Sequence, residues 1–161
     1  MFNNEESTTR RRSKVEMYAH LVWTTKYRAA RLTAEFENNV HRCVVAQSQE
    51  AKCPVLAIGG TEDHVHLVVR LYSRISIAEL VQRVKGPSSA LYNDLRPEHS
   101  ERFSWQDGYG CFSLWYSQLD KAVAYVHKQK QRHRTGDLID IFEKFDEPTT
   151  ASHKIGVYEI R

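Results

Sequence analysis

The sequence predicts an α+β domain with a ferredoxin-like (RRM-like) βαββαβ sandwich, in which a four-stranded antiparallel sheet packs against helices. Segments rich in β-branched and aromatic residues alternate along the chain with longer segments of helical periodicity. Their order is strand, helix, strand, strand, helix, strand, helix, so an extra helix follows the fourth strand. On this plan the helices cover one face of the sheet, and we expect the other face to remain free to bind a ligand.

The first half of the chain supplies three strands and one helix. "VEMYAHLVWTT" predicts a first strand from Val15 to Thr25. Thr33 is then a candidate cap for a helix that ends at Cys53–Pro54. "VLAIGG" and "HVHLVVRLY" read as two strands, and the glycine-containing turn over 59–63 predicts that they form a hairpin.

The second half adds two helices around the fourth strand. Ser76 is predicted to cap a helix that Gly86–Pro87 interrupts, after which "PSSALYNDL" restarts it. A polar connector leads to the strand "YGCFSLWY". Ser117 is a plausible cap for a last helix that ends at Gly136.

Length and composition indicate one intracellular domain. The 161 residues suffice for a single core, and the net charge of +3 is too small to indicate nucleic-acid binding by itself. Three cysteines without a CxxC pair argue against a disulfide framework or a zinc finger, and no apolar run is long enough for a membrane span or a signal peptide. We expect a flexible basic arm at 1–14, a catalytic domain at 15–134, and an amphipathic segment with a polar tail at 135–161.

Two histidines open the predicted third strand. Side chains in a strand repeat their direction every second residue, so His64 and His66 point the same way, while Val65 points into the core and Asp63 away from the histidines. Their separation of about 7 Å along the strand suits two ligands of one divalent metal ion. The alternative is an exposed polar face with no metal.

The last helix offers a third ligand and a nucleophile. Leu119, Ala122, Val123 and Val126 form its apolar stripe. Tyr125 lies roughly 110° from the centre of that stripe, so it is not an obvious core residue, and Gln129, four residues later, is on the same flank of the helix.

The motifs "HLVWTTKYR", "EDHVHLVV", "VKGPSS", "WQDGYGCFS" and "VAYVHKQKQRHR" together resemble the single-tyrosine HUH transposases of small insertion sequences and the REP-associated tyrosine transposases. The resemblance covers residues 16–134. It implies that His64, His66 and Gln129 bind a metal and that Tyr125 is the nucleophile. Two features depart from the family pattern: Pro87 in the second helix, and the bulky Trp115–Tyr116 pair before the last helix.

The resemblance also implies the reaction and its partners. A tyrosine hydroxyl would nick single-stranded DNA at hairpin-flanked ends and form a 5′-phosphotyrosine, with Mg²⁺ or Mn²⁺ as the cofactor, in a bacterial or archaeal cytoplasm. Two imidazoles alone would also suit zinc. The family further implies a homodimer with composite active sites, in which the tyrosine helix acts in cis or in trans.

Cationic residues follow the first strand, lie on the second helix and extend beyond the tyrosine, where they could bind DNA phosphates. They are Lys26, Arg28, Arg31, Arg83, Lys85, Lys128 and Arg132. Trp23, Tyr27, Trp105 and Tyr109 could stack on bases, although most are expected to be core residues.

Two other functions are compatible with these residues. One is a domesticated, non-catalytic module that binds nucleic-acid hairpins on the same fold. The other is a metal-dependent phosphodiesterase that uses the histidines without a covalent intermediate. Retention of all four candidate residues, His64, His66, Tyr125 and Gln129, argues against the first.

Overall fold

The structure, a computed structural model, describes residues 14–136. Four strands form one antiparallel sheet in the order β2-β3-β1-β4. Their bounds are β1 Tyr18–Thr24, β2 Val55–Gly60, β3 His64–Arg70 and β4 Gly110–Leu114. The prediction of a four-stranded antiparallel sheet in an α+β fold is confirmed. Apart from residues 14, 135 and 136, the predicted basic arm and the predicted C-terminal segment lie outside the described residues.

Two long helices cover one face of the sheet. They are α1, Ala34–Glu50, and α2, Ile77–Leu95. Their buried side chains, such as Val44 and Leu80, join the alternate strand residues Leu21, Val65 and Leu67 in the main core. The period of two along β1 and β3 therefore directs one set of side chains to α1 and α2 and directs the histidines to the opposite face.

That opposite face is not free, contrary to the expectation from the fold pattern. The helix α3, Leu119–His127, packs on it, and Leu119, Ala122 and Val126 form a second core with residues of the sheet. The approach is closest at Gly59 in β2, where an added Cβ would lie 2.4 Å from the carbonyl oxygen of Val126. Only a residue without a side chain lets the helix backbone come this near.

Pro87 does not interrupt the second helix. Helix α2 runs through it, and Ser88 Oγ donates hydrogen bonds to the carbonyl oxygens of Val84 (2.5 Å) and Lys85 (3.2 Å). Proline normally disfavours helical backbone at the preceding residue because its ring meets that residue's Cβ, but here the preceding residue is Gly86, which has none. The helix therefore tolerates the proline.

The predicted caps have different outcomes. The Ser76 side chain accepts a hydrogen bond from the Glu79 N–H at 3.1 Å, as expected for the cap of α2. Thr33 occupies the cap position of α1 but makes no side-chain hydrogen bond there. Ser117 does not cap α3; it lies in a 3-10 turn, Tyr116–Gln118, that leads into the helix.

The last predicted helix is two helices. α3 ends at His127, Lys128 has non-helical angles (φ −98°, ψ 10°), and α4 runs over Gln129–Thr135. Gly136 follows with a positive φ of 70°, which agrees with its predicted role as the helix stop. Within 14–136 no helix is long and apolar enough to cross a bilayer.

Candidate active site

The two histidines of β3 face α3 and are buried. His64 is 1% exposed and His66 is fully buried, and their ring centroids are 4.9 Å apart. Burial, reinforced by the neighbouring His64, lowers the pKa of His66 well below its usual value, so this ring is neutral at pH 7. Neutral imidazole is the form that binds metal ions.

His64 is held by polar residues of the β2–β3 turn. Its Nδ1 lies 2.6 Å from Asp63 Oδ1 and 2.9 Å from Thr61 Oγ1. The hydrogen bond with His64 keeps the pKa of the Asp63 carboxyl well below its usual range. The prediction that Asp63 points away from the histidines is wrong, because β3 begins only at His64 and the turn residue before it does not follow the strand alternation.

His66 is held by a third histidine that sequence reasoning missed. His20 of β1 places its Nε2 2.8 Å from Nδ1 of His66, and the two rings stack with centroids 5.0 Å apart and planes at 20°. Burial lowers the pKa of His20 to about 4, so it is also neutral at pH 7. Two signals in the sequence could have indicated it: a polar residue within an apolar strand, and its place at the start of the motif "HLVWTTKYR".

Tyr125 lies beside these histidines. Its ring centroid is 6.0 Å from that of His66 and 6.5 Å from that of His20, with the planes near perpendicular in both pairs. The side chain is only 1% exposed. The apolar stripe of α3 did not predict this burial, because the polar rings of β1 and β3, rather than aliphatic residues, form the surface on which Tyr125 packs.

Gln129 begins α4 and is 1% exposed. The four-residue spacing predicted that Tyr125 and Gln129 lie on one continuous helix, but the break at Lys128 places them on α3 and α4. Both side chains are nevertheless buried. His133, one turn further along α4, brings its ring centroid to 4.7 Å from that of His64. Its spacing of four residues from Gln129 could have indicated this position.

The donor set fits a divalent metal ion. Both candidate imidazoles have Nδ1 engaged, one by a carboxylate and a hydroxyl and the other by His20, which is how metal-ligating histidines are usually oriented. Coordination would therefore use Nε2 of each ring. Among residues 14–136, no group of three or more His, Cys, Asp or Glu side chains is arranged to hold a metal, so further ligands would come from the Gln129 amide oxygen or from substrate and water.

The predicted DNA-binding cations fall into separate groups. Arg28 contacts a residue that holds His64, since its Nε lies 3.3 Å from Asp63 Oδ2. Lys26 and Arg31 lie in the same connection, where Arg31 pairs with Glu101. Lys128 is exposed at the break between α3 and α4. The side chain of Arg132 is outside the described part of the chain.

The two cations of α2 are not brought to the site. Helix α2 lies on the face of the sheet opposite the histidines, and Arg83 pairs there with Glu79 at 2.9 Å. The ammonium group of Lys85 donates to the carbonyl oxygens of Gln106 (2.7 Å) and Gly108 (2.9 Å), and burial lowers its pKa. Lys85 thus fastens the connector before β4.

The candidate stacking aromatics differ in how far they are buried. Trp23 and Trp105 are buried in the main core with ring centroids 6.0 Å apart, and Tyr109 is half-buried against it. Tyr27 is 85% exposed.

A cleft of about 590 Å³ opens beside the histidines and is lined by Arg28, Thr61, Asp63, Lys130, His133 and Arg134, among others. Its mixture of cations and polar groups suits a phosphate chain.

Comparison with known structures agrees with the fold. A structure of a protein assigned as a transposase in Deinococcus radiodurans R1 is similar, with a TM-score of 0.59, 21% identity, and coverage of 74% of this chain and 95% of that one. A structure of a REP-associated tyrosine transposase bound to a REP hairpin is similar with a TM-score of 0.57, 11% identity, and coverage of 80% of this chain and 74% of that one. At these identities the likeness shows the fold. No curated protein sequence matches significantly.

A family model gives the assignment. The model described as "Transposase IS200 like" matches residues 13–129, which span the whole sheet, the histidine pair, Tyr125 and Gln129. This match covers well over half of the chain and includes the four candidate residues of the active site, although it ends before the candidate DNA-binding residue Arg132. The chain therefore belongs to the IS200-like transposase family.

Proposed function

We propose that this protein nicks and rejoins single-stranded DNA at hairpin-flanked element ends through a covalent link to Tyr125. The observation that carries the proposal is the burial of Tyr125 against His66, at 6.0 Å between ring centroids, with His64 at 4.9 Å from His66 and Gln129 buried at the start of α4. A phenol and two imidazoles rarely meet in a core for packing alone, because burying polar groups is costly.

In the proposed reaction the Tyr125 oxygen attacks the scissile phosphorus. A P–O bond to Tyr125 forms as the bond from phosphorus to the 3′ oxygen breaks, and the phenolic proton is lost as the departing strand gains a 3′ hydroxyl. The phosphotyrosine is an ester comparable in energy to the bond that was broken. A 3′ hydroxyl of another strand can therefore reverse the step without ATP, so one site cuts and joins.

His64, His66 and Gln129 would hold Mg²⁺ or Mn²⁺, which when bound supplies charge neutralisation at the phosphate oxygens. The chain's own contribution is orientation. Asp63, Thr61 and His20 hold the two imidazoles through Nδ1, so Nε2 of each ring would bind the metal, and α3 brings the phenol beside them. A phenol with an ordinary pKa near 10 needs this positioning to react at neutral pH.

DNA must reach a tyrosine that is 1% exposed, so α3 has to shift on the sheet before the reaction. The exposed 3-10 turn Tyr116–Gln118 and the break at Lys128 flank α3 and would allow it to move as a unit. We propose further that the protein acts as a homodimer in the cytoplasm of a bacterial or archaeal cell. Hairpin binding by a relative of the same fold, the REP-associated transposase, supports a hairpin substrate.

The test uses end-labelled single-stranded DNA from the element ends, incubated with Mg²⁺ or Mn²⁺ and run on a denaturing gel. We expect a covalent protein–DNA adduct in the wild type and none in Tyr125→Phe. Tyr72→Phe is the matched control, since Tyr72 packs against the main core on the other face and should keep full adduct formation.

The same gel separates the two alternatives. Cleavage that survives in Tyr125→Phe would indicate a metal-dependent phosphodiesterase without a covalent step. Hairpin binding with neither adduct nor cleavage in the wild type would indicate a non-catalytic module.

A further inference from the structure

Tyr27 is the most exposed large apolar side chain in the described residues, with 85% of its surface open to solvent. It lies in a 3-10 turn, Lys26–Arg28, that directly follows β1. A ring that buries almost nothing contributes little to folding. Its presence in the turn therefore calls for another explanation.

The backbone of this turn is strained. Tyr27 has φ 58° and ψ 20°, and the next residue, Arg28, has φ 53°, so two consecutive residues with side chains occupy the left-handed region. Each such residue costs of order 1 kcal/mol, which glycine or asparagine would reduce. Strain of this kind, kept where a bulky ring gains no burial, indicates that the ring serves a function.

Hydrogen bonds from backbone and side chains hold the turn in shape. The N–H groups of Lys26 and Arg28 donate to the carbonyl oxygens of Ser104 and Thr25, each at 3.0 Å. The Thr25 hydroxyl donates to the Ala29 carbonyl at 2.7 Å, and the Tyr27 N–H donates to Gln106 Oε1 at 3.2 Å. The ring is thus presented from a fixed backbone, which lowers the entropy lost when a ligand packs on it.

Cations lie on one side of the ring. Lys26 Nζ lies 5.4 Å from its centroid, and a cleft of about 430 Å³ beside it is also lined by Arg102 and by Arg31, which pairs with Glu101. An aromatic face among positive charges matches a nucleic-acid strand, in which a base can stack while the adjoining phosphates meet the cations. A base inside a duplex has no face to offer, so the matching ligand is unpaired.

The turn is joined directly to the histidine site. The Thr25 N–H donates to the Asp63 carbonyl at 2.8 Å, and Arg28 Nε lies 3.3 Å from the Asp63 carboxylate, whose other oxygen contacts His64. A strand anchored at Tyr27 can therefore lead along Arg28 toward the histidines.

We propose that Tyr27 is a stacking platform for one unpaired base of the single-stranded DNA substrate, with Lys26 and Arg102 neutralising the adjoining phosphates. This inference rests on the proposed function, because it takes single-stranded DNA as the substrate. The inference adds a binding site for one base, which the cleavage chemistry does not require.

The experiment is an abasic scan without metal. Fluorescein-labelled single strands from the element ends, each lacking one base, are titrated with wild type and with Tyr27→Ala in EDTA, so that binding is measured without cleavage. We expect wild type to lose affinity roughly 5- to 150-fold at one abasic position, the usual effect of removing one base–aromatic stack. Tyr27→Ala should bind the intact strand weaker by a similar factor and show no further loss at that position.

Three variants check the interpretation. Tyr27→Phe keeps the ring and should bind as wild type does. Tyr27→Gly should weaken binding like Tyr27→Ala while its melting temperature stays equal or rises, because glycine relieves the left-handed strain. Leu95→Ala removes another large apolar side chain, 48% exposed at the end of α2, and should leave the abasic profile unchanged.

The possible failures are distinct. Failure of the wild type to bind any single strand would overturn the proposed function together with this inference. Normal affinity of Tyr27→Ala for the intact strand, with the wild-type sensitivity to the same missing base, would overturn the stacking platform alone.

Discussion

Replacing Gly59 by alanine should force α3 away from the sheet. The added Cβ would lie 2.4 Å from the Val126 carbonyl oxygen, whereas ordinary contact begins at 3.4 Å, so one side must move by about 1 Å (3.4 − 2.4 Å). The opposing atom is backbone and cannot rotate out of the way. Overpacking of this size typically costs about 1–3 kcal/mol of unfolding free energy.

The direction of the stability change distinguishes a docked α3 from an undocked one. Glycine is a poor strand residue, so without a close helix both Gly59→Ala and Gly59→Val would stabilise β2. With α3 docked as described, alanine should destabilise the protein and valine should destabilise it more. Gly59 has no positive φ, so backbone strain does not complicate the comparison.

Two measurements test it. Urea unfolding gives the change in free energy, and hydrogen exchange shows where the protein loosens. Amides of α3 should exchange about tenfold faster for each 1.4 kcal/mol of local destabilisation, while those of β1 and β3 change only with global stability. Higher stability in both variants, with unchanged exchange over 119–127, would refute the docking of α3 on β2.

Three further predictions concern other contacts. His20→Phe removes the hydrogen-bond partner of His66 Nδ1, so it should weaken Mn²⁺ binding about 10- to 100-fold, as measured by electron paramagnetic resonance. An unchanged Kd would show that this hydrogen bond does not orient the ligand. Ser76→Ala should lower the free energy of unfolding in urea by about 1 kcal/mol, whereas Thr33→Ala should lower it much less because Thr33 makes no cap hydrogen bond. Equal losses in the two variants would contradict the assignment of Ser76 as a cap. Burial raises the pKa of the Cys111 thiol, so its alkylation, measured by mass spectrometry, should be slow at neutral pH and accelerate only above the pH at which an ordinary thiol ionises. Rapid labelling of Cys111 at pH 7 would contradict this direction of the pKa shift.

Local patterns determined much of this protein without reference to its tertiary structure. The period of two alone put His64 and His66 on one face with Val65 on the other, and the bounds of β2 agree with the apolar run "VLAIGG". The Ser76 cap is equally local, since its hydrogen bond reaches only three residues along the chain. The order of strands and helices then restricted the topology to the observed sheet.

Only the tertiary structure decided what lies opposite each of those faces. The partner of His66 is 46 residues away in β1, and Tyr125 is buried because α3 docks on β2 at Gly59, a contact for which no periodicity exists in the sequence. The β2–β3 turn brings the Asp63 carboxylate to His64, whereas the alternation of a strand would have directed it to the other face. The physical reason is common to all three: periodicity reports the direction of a side chain within its own element, whereas burial and hydrogen bonding depend on which element packs against it.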